Sequence, residues 1–138
     1  MKITARVDYA ILAVFELALH SREDRIQARE IAERQQIPVR FLEQILIQLK
    51  KEGLVKSIRG ASGGYVLAKP ANRINLKDIV EAMEGEITLV EPRLHPNSTV
   101  LRVLREIEDE FVEKLESITI QDLVHRKIQE EKVVVYHI

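Results

Sequence analysis

A mainly α-helical chain with one small β-hairpin, closing on a long helix with an apolar seam, is the fold class this sequence predicts. Three observations predict it. Apolar residues recur at helical spacing through most of the first 52 positions, the glycine cluster RGASGGY separates two short β-prone runs, and a second helical pattern starts at Thr99. With 138 residues, 46% of them hydrophobic, the chain has material for one ordinary core and an appended element.

Thr4 is placed to cap a first helix whose apolar positions Val7, Ile11, Val14, Phe15, Ala18 and Leu19 repeat at helical spacing up to about His20. After the charged turn SREDR, the segment AREIAERQQ puts Ala28, Ile31 and Ala32 on one face of a short helix, small enough for another helix to cross closely. Residues 35–37 form a tight connection, and Pro38 suits the first position of a third helix, where its missing N–H is not needed. On that helix Phe41, Leu42, Ile45, Leu46 and Leu49 make the expected buried stripe; Arg40, Glu43, Gln44, Ile47, Gln48 and Lys51 lie opposite. The second and third helices together have helix-turn-helix spacing.

Gly53 is placed to end the third helix, and residues 54–58 and 65–68 read as two strands joined by the loop 59–64, in which three of six residues are glycine. Pro70 ends the second strand. Asn75 and Asp78 form an N-cap pair before LKDIVEAME, with Gly85 positioned to stop that helix. Residues 86–98, EITLVEPRLHPNS, contain two prolines and read as a loop. The long helix that follows carries Val100, Leu104, Ile107, Phe111, Leu115 and Ile118 at intervals of four, three, four, four and three, a seam suited to a partner helix. A short helical stretch, IQDLVHRKI, then leads to the β-prone tail VVVYHI.

The net charge of −1 conceals an uneven distribution. Basic and acidic side chains number six and six in residues 1–37, seven and two in 38–73, and eight and fourteen in 74–138, so the segments sum to 0, +5 and −6. A basic middle marks a surface for a polyanion, although a clump of solvated lysines gives the same sums. No apolar run is long enough to cross a bilayer, and Arg6 and Asp8 interrupt the segment a signal peptide would need, so a cytoplasmic location without membrane contact is expected. Zero cysteines exclude disulfides, thiolate metal sites and thiol redox sensing. Neither a Ser-His-Asp order nor a P-loop nor a dinucleotide fingerprint is present, which leaves an enzymatic role without support.

Within the basic middle, arginine can fork onto guanine, glutamine onto adenine, and glutamate can accept from cytosine, so Arg40, Glu43, Gln44 and Gln48 have the chemistry of base edges. A solvated helix face has the same composition; the neighbouring helix and the hairpin favour contact with double-stranded DNA. Arg59 at the hairpin tip suits the negative potential of a narrow minor groove, while Ser62 and the N–H groups of Gly60, Gly63 and Gly64 suit phosphate oxygens, with Lys56 a further phosphate contact. Ala28, at the start of the second helix, and Val39 complete the candidate set. Glu91, His95 and Asn97, with Asp8, can be imagined as a metal site, but His20, His95, His125 and His137 show no paired ligand spacing, so no metal and no cofactor is expected.

Through MKITARVDYAILAVFELALH, EIAERQQIPVRFLEQILIQLKKEGLVKSIRGASGGYVLAKP and INLKDIVEAMEG, the chain resembles the Rrf-type winged-helix transcriptional regulators, the bacterial family that includes IscR, NsrR and CymR. The resemblance covers about the first two thirds of the chain. It implies a dimer on promoter DNA, with the recognition helix in the major groove and the wing at the minor groove; a symmetric homodimer suits a palindromic operator, and repression by covering the promoter is the expected mode. By position, the implied contacts are Val39, Arg40, Glu43, Gln44, Arg59, Gly60 and Ser62. Many members hold an iron–sulfur cluster through three cysteines in the loop before the long helix, in some with a protein carboxylate or histidine; here that loop is EITLVEPRLHPNS, and Asp8 alone makes no cluster site. The resemblance therefore points to a cluster-free branch in which a regulatory protein or a small-molecule effector sets DNA affinity. The expected partition is a winged helix-turn-helix domain over 1–85, a loop over 86–98, and a dimerisation helix with a C-terminal segment over 99–138. The competing expectation is an adaptor whose winged helix docks a partner protein.

Overall fold

In the computed structural model, which describes residues 2–20, 24–91 and 97–137, the elements run α1 (Ala5–Ala18), α2 (Ala28–Gln35), α3 (Val39–Lys51), β1 (Val55–Ile58), β2 (Gly64–Leu67), a 3₁₀ turn (Ala71–Arg73), α4 (Leu76–Glu84), α5 (Thr99–Ser117) and α6 (Ile120–His137). The architecture is a winged helix-turn-helix with two long helices appended, mainly helical as expected.

Thr4 caps α1, its hydroxyl accepting from the Val7 N–H at 3.3 Å. Most deeply buried on this helix are Val7, Ala10, Ala13, Val14 and Leu17; the two alanines let other helices approach closely, while Ile11, Phe15 and Ala18 are only partly covered. Glu16 is the one buried charged residue among the described residues. Its carboxylate accepts from the Gln35 amide at 3.2 Å and faces His20 Nε2 at 2.9 Å and Arg34 Nη1 at 3.6 Å, which ties α1 to α2.

Gln36 ends α2 in a left-handed conformation (φ 55°, ψ 47°), and the Ile37 N–H returns to the Ala32 carbonyl. Pro38 is the cap of α3 and not its first helical residue: its ψ of 128° is extended, while its carbonyl already accepts from the Leu42 N–H at 3.0 Å. Leu42, Ile45, Leu46 and Leu49 are buried, as the stripe predicts. Phe41 is the exception. It is 48% exposed at the edge of the stripe, its ring edge-on to Tyr9 with centroids 5.8 Å apart. Each of the four buried side chains contributes about 1.5–3 kcal/mol relative to exposure, a large share of a domain's net stability.

The hairpin pairs Val55 with Leu67, Lys56 with Val66, Ser57 with Tyr65 and Ile58 with Gly64, one residue inside the expected limits at each outer end. It is not isolated. Ile26 exchanges both backbone hydrogen bonds with Tyr65, at 3.1 and 2.8 Å, and the Ala68 N–H bonds the Leu54 carbonyl. The Asn75–Asp78 pair forms a reciprocal capping box on α4, at 2.8 and 3.0 Å, and Gly85 ends that helix.

Ser98 caps α5, and Leu101 is its one deeply buried residue. The seam needs two corrections. Ile118 lies beyond the helix in an extended link, where its carbonyl accepts from the Leu76 N–H at 2.9 Å; Leu115 packs against the core. Val103, outside the expected set, joins Val100, Ile107 and Phe111 on the exposed face, with Leu104 half-buried beside them. The tail, β-prone by composition alone, continues α6, which runs unbroken to His137: Ile120 is buried in the main core and Val124 is buried one turn on, so the first turns fix the direction in which the backbone continues. Thr119 and Asp122 cap α6 reciprocally, at 2.9 and 3.1 Å. The Thr119 N–H, then the Thr119 hydroxyl, hold the Asp122 carboxyl below its ordinary range; this stabilisation is present above the unfolded-state pKa and lost as pH falls through the folded one.

Replacing Leu46 by alanine leaves a void between α3 and the helices around it. The loss of stability expected in urea unfolding is about 2–5 kcal/mol, and a loss below about 1 kcal/mol would show that this face is not tightly packed.

Candidate nucleic-acid interface

Burial of one side of α3 turns the other outward, beside the wing. Val39, Arg40, Glu43 and Gln44 are all exposed there. Gln48 departs from the set: its amide donates to the Ala82 carbonyl of α4 at 3.1 Å and to Glu52 at 3.4 Å, which engages it in helix packing. Ile47, 58% exposed, is an apolar member of the outer face.

Helix ends add backbone donors. Thr4, Asn75 and Ser98 cap α1, α4 and α5 with side-chain hydrogen bonds, whereas Gln27 and Pro38 give α2 and α3 none. Among the described residues the first N–H groups of α2 and α3 therefore have no side-chain cap, at the ends where the helix dipole favours an anion. The side chain of Ala28 packs against the core, which leaves its backbone as the group it can offer.

On the wing, Lys56, Arg59, Gly60 and Ser62 are exposed. The Gly63 N–H closes the tip onto the Gly60 carbonyl at 2.9 Å, and Gly60 has a φ of 116°, which side chains disfavour. A Cβ on Gly63 would run into the Ile58 carbonyl. Among the described residues, Arg40, Lys56 and Arg59 form no ion pair, while Arg34 and Lys77 do. These three cations are thus unpaired and available to a polyanion, with Glu43 the acidic residue on the outer face of α3.

One feature was missed by sequence reasoning. A recess of about 500 Å³ between α1 and α3 brings Arg6 beside Arg40 and Gln44. Its sequence signal was a cation in the first turn of a helix, where the dipole disfavours it. Of the imagined metal ligands, Asp8, Glu91 and Asn97 are exposed, and His95 lies outside the described residues. Among the described residues no three metal-ligating side chains gather.

A family model described as Rrf2, iron-dependent transcriptional regulator, matches residues 3–126. The chain belongs to the Rrf2 family. It is 34% identical over 133 residues to the HTH-type transcriptional regulator IscR of Pectobacterium carotovorum, a match covering 92% of this chain and 81% of that one. Among solved structures it resembles CymR, the global cysteine regulator of B. subtilis, with a TM-score of 0.85 at 34% identity over 91% of this chain and 98% of that one. T. potens IscR gives a TM-score of 0.78 at 35% identity, covering 92% and 88%. This Rrf2-family protein is a DNA-binding transcriptional regulator, not an enzyme. A thiolate-held iron–sulfur cluster does not fit it, because the chain has no cysteine to supply the ligands. Among its described residues no helix is long and apolar enough to cross a membrane.

Alanine at Gly63 must displace the wing tip. A stability loss of at least about 1 kcal/mol is expected in urea unfolding, against a change within about 0.5 kcal/mol for Ala61→Ser at the exposed neighbour. Equal effects at the two positions would show that the tip tolerates another geometry.

Proposed function

We propose that this Rrf2-family chain is a sequence-specific repressor that covers promoter DNA as a homodimer in the cytoplasm, with residues 1–85 on the duplex and residues 99–138 joining the copies. The observation that carries the reading is the outward face of α3 lying beside a wing tip whose Arg59 has no acidic partner among the described residues. Arg40, Glu43 and Gln44 meet base edges in the major groove, with Val39 offering an apolar contact for a thymine methyl. Arg59 reaches the minor groove; Lys56, Ser62 and the N–H groups of Ala28, Gly60 and Gly63 meet phosphates.

Dimerisation rests on α5. Val100, Val103, Ile107 and Phe111 are between 38% and 61% exposed and fall on one stripe, an apolar face uncovered by the described residues of the chain. Two-fold pairing through it supplies two recognition helices, which a palindromic operator requires. Control of affinity falls to a protein partner or a small molecule, since thiol chemistry is absent.

Gel shifts with genomic fragments across a salt series are expected to show sequence preference above a steep electrostatic background; a protein-docking adaptor shows neither. Arg59→Ala should cost about 1–3 kcal/mol of operator binding, and unchanged affinity would remove the wing from the interface. Ile107→Lys should yield a monomer in sedimentation analysis with much weaker operator binding. A dimer surviving that change would place the subunit contact elsewhere.

A further inference from the structure

Arg6 is the second residue of α1, in the turn where the helix dipole opposes a positive charge. It is exposed, and among the described residues it enters no hydrogen bond or ion pair that would explain its position. It lines the recess beside α3 together with Arg40, Gln44 and Gln48, while Phe41, Ile45 and Ile47 contribute apolar surface. The Tyr9–Phe41 edge contact packs the start of α1 against that of α3. Two guanidiniums thus line one recess that no carboxylate lines among the described residues, which favours an anion there.

We infer that this recess receives one sugar-phosphate unit of the DNA backbone flanking the recognition helix, with Arg6 on the phosphate. The inference rests on the proposed DNA-binding function. A duplex strand alternates an apolar deoxyribose face with an anionic phosphate, which matches apolar surface beside two guanidiniums, and a guanidinium can hold two phosphate oxygens at once. α1 then becomes a third contact element, with α3 and the wing. Arg6 acts on affinity for any sequence and leaves base preference to α3.

The test compares wild type, Arg6→Ala, Arg6→Lys and Arg59→Ala by fluorescence anisotropy, on a duplex selected from random sequence and on an unselected one, over a salt series. For Arg6→Ala both duplexes should weaken by the same several-fold factor, and the slope of log affinity against log salt should shrink by about 0.9 for one lost phosphate contact. Arg6→Lys should keep that slope. The thermal midpoint of Arg6→Ala should not fall, since the change removes a charge that the helix dipole opposes. An unchanged slope in Arg6→Ala, with Arg59→Ala still impaired, overturns the clamp and leaves the DNA-binding function standing. Loss confined to the selected duplex overturns it too, by assigning Arg6 to a base. If wild type lacks sequence preference and salt dependence, the underlying function fails and the clamp with it.

Discussion

Burial of one side of α3 is the constraint on which the remaining structure depends. Leu42, Ile45, Leu46 and Leu49 are removed from water, and a straight helix with those four inside has little rotational freedom left. Arg40, Glu43 and Gln44 are outside as a geometric consequence. Secondary contacts refine the angle: Gln48 bonds the α4 backbone, and Phe41 leans on Tyr9. The wing inherits its position from the same packing, because Leu54 follows α3 directly and Ile26, just before α2, pairs with Tyr65 of the hairpin. One hydrophobic face therefore sets both the core and the geometry of the outward surface formed by α3 and the wing.

The site also shows how polar groups are distributed by function. Side-chain caps sit on α1, α4 and α5, which hold the scaffold, and among the described residues α2 and α3 have none. Ion pairs follow the same division. Arg34 serves the buried Glu16 and Lys77 meets Glu116 on α5, whereas Arg40, Lys56 and Arg59 form no ion pair among the described residues. A regulator without cysteine cannot report on its surroundings through thiolates.

Much of this was legible in the sequence because it is locally encoded. Thr4, the Asn75–Asp78 box, Gly85 and the glycines of the wing act within a few residues, so the limits of their elements followed closely. Less legible was whatever depends on distant neighbours. Phe41 looked like core because it abuts the stripe, but it sits at the stripe's edge and finds Tyr9 instead. Three consecutive valines near the C-terminus suggested strand; Ile120 and Val124, seated earlier in the same helix, outweigh that preference. Ile118 kept the seam's spacing although the helix had ended, and Arg6 gave a sign only through its electrostatic misplacement. The outward chemistry of α3 was readable, yet Gln48 could be distinguished from Gln44 only once α4 was in place.

The central claim is that the exposed side of α3 reads sequence while its buried side holds the fold. Its most direct test is the ratio of affinities for a selected and an unselected duplex, measured for wild type and for the Arg40→Ala, Gln44→Ala double variant, with urea unfolding of each. The account predicts that the ratio collapses toward one while the unfolding midpoint stays within the usual range for surface substitutions. A double variant that keeps the wild-type ratio, at unchanged stability, would contradict it.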